Sequence, residues 1–90
     1  AYYTQDKHAL AVNDYSEAIR LGGKKYLKDR AYAYTKLGSY EAALRDFTEY
    51  IIYVPDVSYI YKERAKVYRA LGRIALAEAD EKKAKELEKK

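Results

Sequence analysis

Arg30-Ala31-Tyr32-Ala33-Tyr34-Thr35-Lys36-Leu37-Gly38 and Arg64-Ala65-Lys66-Val67-Tyr68-Arg69-Ala70-Leu71-Gly72 decide the fold. Laid over each other at an offset of 34 residues, they agree at five of nine positions: Arg, Ala, Tyr, Leu and Gly. Lys28 maps onto Lys62 at the same offset. Asp14-Tyr15-Ser16-Glu17 is echoed by Asp46-Phe47-Thr48-Glu49 at an offset of 32, and the two-residue shortfall falls where Gly22-Gly23 shortens a connection. A fixed internal period of this length marks a supersecondary unit that is stacked rather than folded alone.

Outward from these stretches, Gly22-Gly23, Gly38, Pro55 and Gly72 punctuate the chain. They predict helices over 6–21, 24–37, 40–53, 57–71 and 74–89. Gly38 followed by Ser39 suits a left-handed helix stop and then an N-cap; Asp6 is expected to cap the first helix, and Asp56 or Ser58 the fourth. Tyr50-Ile51-Ile52-Tyr53-Val54 is β-like in composition. It nevertheless continues a 3.6-residue face begun by Tyr40, Ala43, Leu44 and Phe47, so it reads as helix. Ala31, Ala43, Ala65 and Ala77 allow paired helices to approach closely, while Tyr34, Phe47 and Tyr68 fill the gaps between pairs.

These residues resemble the tetratricopeptide repeat family over essentially the whole chain. Ala31 with Tyr34, and Ala65 with Tyr68, match the small residue and aromatic of that family's first helix. Leu37, Gly38 and Tyr40 match its turn, Ala43 and Phe47 its second helix, and Pro55 its stop; Tyr50 stands where a small residue is usual. Tyr2, Ala11, Tyr15, Ala18 and Ile19 fit the tail of an earlier repeat. The resemblance implies an all-α fold of about five helices, in antiparallel pairs stacked as a right-handed α-solenoid. Residues 1–23 would be a partial repeat, 24–57 a full one and 58–90 a final one with a charged capping helix. On this reading Ala1-Tyr2-Tyr3-Thr4-Gln5 is the remnant of a helix preceding the one that starts near 6, which leaves Leu10, Val12 or Ala18 part-exposed. At the other end, Glu78, Glu81 and Lys85 replace Leu44, Phe47 and Ile51. The pairs Glu78/Lys82, Glu81/Lys85 and Glu86/Lys90 support a solvated helix that ends the array.

Composition narrows the function. Ninety residues make one small domain, 49% hydrophobic and 36% charged, and the net charge of +4 permits an acidic partner without demanding nucleic acid. With no Cys there is no disulfide and no thiolate site, and no apolar run is long enough to span a membrane. The compartment stays open, with the cytoplasm the expectation. His8 is the only histidine, and it stands where Tyr40 and Ile74 stand in later repeats, which assigns it to packing. Nothing resembles a phosphate loop, a metal ligand set or an activated nucleophile. The expectation is a protein that is not an enzyme and needs no cofactor.

What remains is surface. The first helix of each pair lines the concave face in the family, and the outward faces of 24–37 and 57–71 carry Lys25, Lys28, Asp29, Tyr32 and Lys36, then Tyr59, Lys62, Glu63, Lys66 and Arg69. Six bases against two acids give +4 there, the net charge of the whole chain. Lys25, Lys28, Tyr32, Lys36, Tyr59, Lys62, Lys66 and Arg69 are therefore the candidate peptide-binding residues. They suit an acidic extended segment held by charge-assisted hydrogen bonds. Some members of the family clamp a carboxyl terminus of heat-shock chaperones with Lys and Asn on these faces. Lys28 and Lys62 match that Lys, but Tyr32 and Lys66 stand where Asn is expected, and Asp29 replaces another Asn. The match implies a looser acidic ligand. Two further readings are self-association through the open N-terminal end and weak RNA binding through the basic face, the latter disfavoured by Asp29 and Glu63.

Overall fold

Three of the connections between helices are built around a glycine with positive φ. In the computed structural model, which describes the backbone of residues 2–89 and the side chains of residues 7–89, the order is α1 (Tyr2–Arg20), a 3₁₀ turn (Lys24–Tyr26), α2 (Leu27–Lys36), α3 (Tyr40–Tyr53), α4 (Ser58–Ala70) and α5 (Ile74–Glu88). After α2, Gly38 takes φ +79°, its N–H donates to the Thr35 carbonyl, and the Ser39 N–H donates to the Tyr34 carbonyl at 2.9 Å. Thirty-four residues on, Gly72 takes φ +76°, and the Arg73 N–H donates to the Tyr68 carbonyl at 2.8 Å. This is the Schellman stop, which a residue with a Cβ adopts only under strain. Gly23 is constrained by space instead, because a Cβ there would lie 2.9 Å from the Ala18 carbonyl oxygen.

The predicted caps are corrected. Ser39 precedes α3, but its hydroxyl makes no capping bond, and Arg73 occupies the same place before α5 with nearly the same backbone angles. The short connection fixes the entry, and the serine side chain is incidental to it. Val57, extended, precedes α4 in place of Asp56 or Ser58. α1 includes Tyr2 onward, so residues 2–5 are continuous with it and no remnant of another helix, and Asp6 lies inside it. The predicted helix at 24–37 starts as a 3₁₀ turn, because Gly22-Gly23 brings the chain round two residues sooner than Val54–Val57 does before α4.

Each helix packs on its neighbours along the chain, and α2 also touches α4. The extents of 36 × 29 × 17 Å correspond to a slab about two helices thick. The core joins Leu27 and Ala31 of α2, Ala43, Leu44, Phe47 and Tyr50 of α3, and Ile60 and Val67 of α4. The alanines expected at close approaches, Ala31, Ala43, Ala65 and Ala77, are all buried. α5 buries only Ala77, Asp80 and Ala84, so it sits against α4 with almost no large apolar side chain of its own.

A repeated ionic clasp supplements this packing. Arg30 donates from Nε and Nη2 to the two carboxylate oxygens of Asp46 at 2.7 and 2.8 Å, and from Nη1 to the Ser16 hydroxyl at 3.1 Å. Arg64 does the same to Asp80 at 2.8 and 2.7 Å and to the Thr48 hydroxyl at 3.1 Å. Each guanidinium thus ties its own pair together and reaches one helix back. The forked geometry is the strong form of this contact, and the hydrogen bonds to Asp46 and Asp80 hold both arginines above their ordinary pKa despite partial desolvation.

Candidate functional site

A cleft of about 370 Å³ opens between α1, α2 and α4. Its floor is Ala11, Ala33, Phe47 and Ile60, and its walls carry Tyr15, Tyr32 and Tyr59, with His8, Lys28, Asp29 and Glu63 at the rim. Tyr32 and Tyr59 are 42% and 55% exposed, large amphipathic rings presented to solvent. Tyr15 is steadied by stacking on Tyr26, with centroids 5.9 Å apart. Such a surface accepts apolar side chains on the ring faces and hydrogen-bonding groups at the hydroxyls.

Of the eight predicted residues, Lys28, Tyr32 and Tyr59 line this cleft. Lys36 lies over the Tyr32 ring at 5.1 Å, and Lys66 stands near Tyr32 and Tyr59. Lys25 lies over Tyr26 at 5.2 Å. Lys62 pairs with Glu88 and Arg69 forks onto Glu81 at 2.8 Å, so both reach towards α5. Internal carboxylates also meet Lys28, 3.5 Å from Asp29, and Lys66, 3.0 Å from Glu63. The hydrogen bond that Lys66 donates to the Glu63 carboxylate raises the Lys66 pKa above its ordinary value, so that ammonium stays charged through the neutral range. Four of the six bases thus meet an acid of the same chain; the charge sum over this face includes Asp29 and Glu63 but not Glu88 and Glu81, so it misses the neutralisation of Lys62 and Arg69.

His8 lies half-buried at the rim, whereas Tyr40 packs against the core and Ile74 is exposed. The α1 wall of Ala11 and Tyr15 was readable only as the tail of a repeat. Its signal was that the corresponding Ala43 and Phe47 are covered by α2 and these are not. On α5, the expected pairs within the helix give way to pairs across to α4, Glu81 with Arg69 and Glu88 with Lys62, while Glu86/Lys90 lies outside the described residues.

Arg69 holds the Glu81 carboxyl below its ordinary range. A lowered folded-state pKa contributes stability that is present above the unfolded pKa and lost as pH falls through the folded one. NMR titration should therefore show Glu81 protonating after the other exposed glutamates as the pH drops, and Arg69→Gln should move it back among them.

No helix of the described residues is long and apolar enough to cross a membrane. No family model matches the chain. It is 33% identical, over an 82-residue alignment covering 87% of this chain, to the DnaJ homolog subfamily C member 7 homolog of Schizosaccharomyces pombe. That alignment takes in 17% of the relative, so the chain corresponds to a small part of its length.

Proposed function

We propose that this chain is a tetratricopeptide-type protein-interaction module, a short α-solenoid that takes an acidic or extended peptide segment along the α2/α4 face and catalyses nothing. The observation that carries this reading is the tyrosine-walled cleft between α1, α2 and α4, with Lys28, Lys36 and Lys66 beside it. The likeness of most of the chain to part of a DnaJ homolog supports a helical protein-interaction domain with a protein partner. Exposed Tyr32 and Tyr59 would take apolar side chains, and the lysines would exchange their internal carboxylates for those of the ligand. The Lys28–Asp29 pair is exposed on both sides, so that exchange costs little, whereas the Glu63 side chain is only 11% exposed and holds Lys66 more firmly.

Amide NMR during titration with an acidic peptide bearing a free terminal carboxylate should shift Lys28, Tyr32, Tyr59 and Lys66 together. Lys28→Glu with Lys66→Glu should leave the fold intact and weaken binding by about tenfold or more. Undiminished affinity in that double variant would sink the reading. An affinity that falls steeply with salt for single-stranded RNA, and not for the peptide, would favour nucleic acid instead.

A further inference from the structure

Glu63 is a carboxylate whose burial and counterion do not match. Asp46 and Asp80, with side chains 7% exposed, are each gripped by a half-buried, forked arginine. The Glu63 side chain is nearly as buried, yet its Oε2 accepts at 3.0 Å from Lys66, whose side chain is 72% exposed. The other acids paired outside the two clasps are much more exposed than Glu63. The Lys66 ammonium can swing into water on its flexible stem, and the carboxylate cannot follow. A purely acidic ligand that draws Lys66 away therefore strands a nearly buried charge, which is strongly unfavourable. A ligand that brings its own cation to Glu63 leaves every charge paired and frees Lys66 for a ligand carboxylate.

The surroundings specify the cation. Tyr59, Glu63 and Lys66 follow one another at i, i+4 and i+7, which places them along one face of α4, and Tyr59 and Glu63 line the cleft together. Lys36 already lies over the Tyr32 ring, whereas no cation lies over Tyr59 among the described residues. The chain's own buried carboxylates show what completes such a set. Arg30 forks onto Asp46 while lying over Tyr34 at 5.7 Å, and Arg64 forks onto Asp80 while lying over Tyr68 at 5.5 Å. A guanidinium is flat and weakly hydrated, so it can fork onto a carboxylate and stack on a ring at once.

We infer that Glu63 is the specificity-determining residue of the cleft and that the ligand is a mixed-charge peptide segment: its arginine sits on Glu63 against the Tyr59 ring, and its neighbouring acidic side chains take Lys66 and Lys28. This rests on the peptide reading above and narrows it. The residues that carry it all lie on α2 and α4.

The test is fluorescence anisotropy with a labelled, all-acidic peptide and a set of copies in which one arginine is walked along its positions. General attraction to the lysines predicts that every such copy binds more weakly, because each has lost negative charge. The inference predicts the opposite at the matching position, a gain of about tenfold or more. Citrulline, which keeps the shape and loses the charge, should give no such gain there. Glu63→Gln should reduce the arginine gain to below about twofold while binding the all-acidic peptide as well as the parent does or better, since Lys66 is then released. The walk on the unaltered chain decides the matter even if that variant folds poorly. If the all-acidic peptide binds and no arginine position improves it, or if the gain survives Glu63→Gln, the inference is overturned and the peptide reading stands. If no peptide saturates by about 1 mM, the peptide reading falls and the inference with it.

Discussion

Phe47→Ala should remove about 3–5 kcal/mol from a total stability of order 5–15 kcal/mol, leaving the protein close to its unfolding threshold. The ring is 2% exposed and is among the largest fully buried side chains. It belongs to one cluster with Leu27 and Ala31 of α2 and with Ile60 and Val67 of α4, so it joins the two helix pairs rather than serving one. Truncation leaves a void between helices whose approach is already set by fully buried alanines, and such a frame relaxes only partly into the gap. The cost combines lost transfer energy with an unfilled cavity. The same truncation at Tyr15, half-buried at the edge of the cleft, should cost clearly less, since part of that ring already meets water. Urea unfolding should show the midpoint falling sharply for Phe47→Ala with the slope unchanged. A loss below about 1 kcal/mol would mean that the two pairs do not share a core.

The contrast between positions 15, 47 and 81 also shows what could be read without coordinates. The 34-residue offset, the glycine stops and the alternation of alanine with aromatic side chains are local or periodic, and they located the five helices to within a few residues apart from the start of α1. They also picked out the core alanines. What they could not supply was the destination of long charged side chains. Arg30 and Arg64 were visible as a repeated residue, and Asp46 as part of an echo. That the first grips the second is a contact across 16 residues that no helical period displays. For the same reason the basic face looked stronger than it is. Lys62 and Arg69 share a helix face with Lys66, but their flexible stems carry the charges to Glu88 and Glu81 on α5. The cleft wall on α1 is the remaining gap. It follows from which helix lacks a covering neighbour, a property of the assembled structure and not of any segment.

Those clasps carry the second large effect. Asp80→Ala should cost about 3–5 kcal/mol, more than a surface ion pair could, because the Arg64 side chain is only 17% exposed and would keep a single neutral acceptor, the Thr48 hydroxyl. The damage should also be local. α5 contributes two alanines and this aspartate to the interior, and nothing of the size of Leu44 or Phe47, so Asp80 is the strongest attachment it has. Hydrogen exchange should show α5 amides losing protection first, while α2 and α3, held by their own clasp and by the main core, stay protected. Arg64→Met combined with Asp80→Leu separates charge from packing. Once neither partner is left buried alone, most of the stability should return. If the double variant were as unstable as Asp80→Ala, the loss would come from shape at this crossing, and the guanidinium would matter only as volume. If Asp80→Ala opened the whole chain at once, α5 would have to be an integral part of a single cooperative unit. The expected outcome, a frayed last helix on an intact remainder, identifies the Arg64–Asp80 pair as the device that attaches α5, a helix carrying little apolar surface, to its pair partner α4.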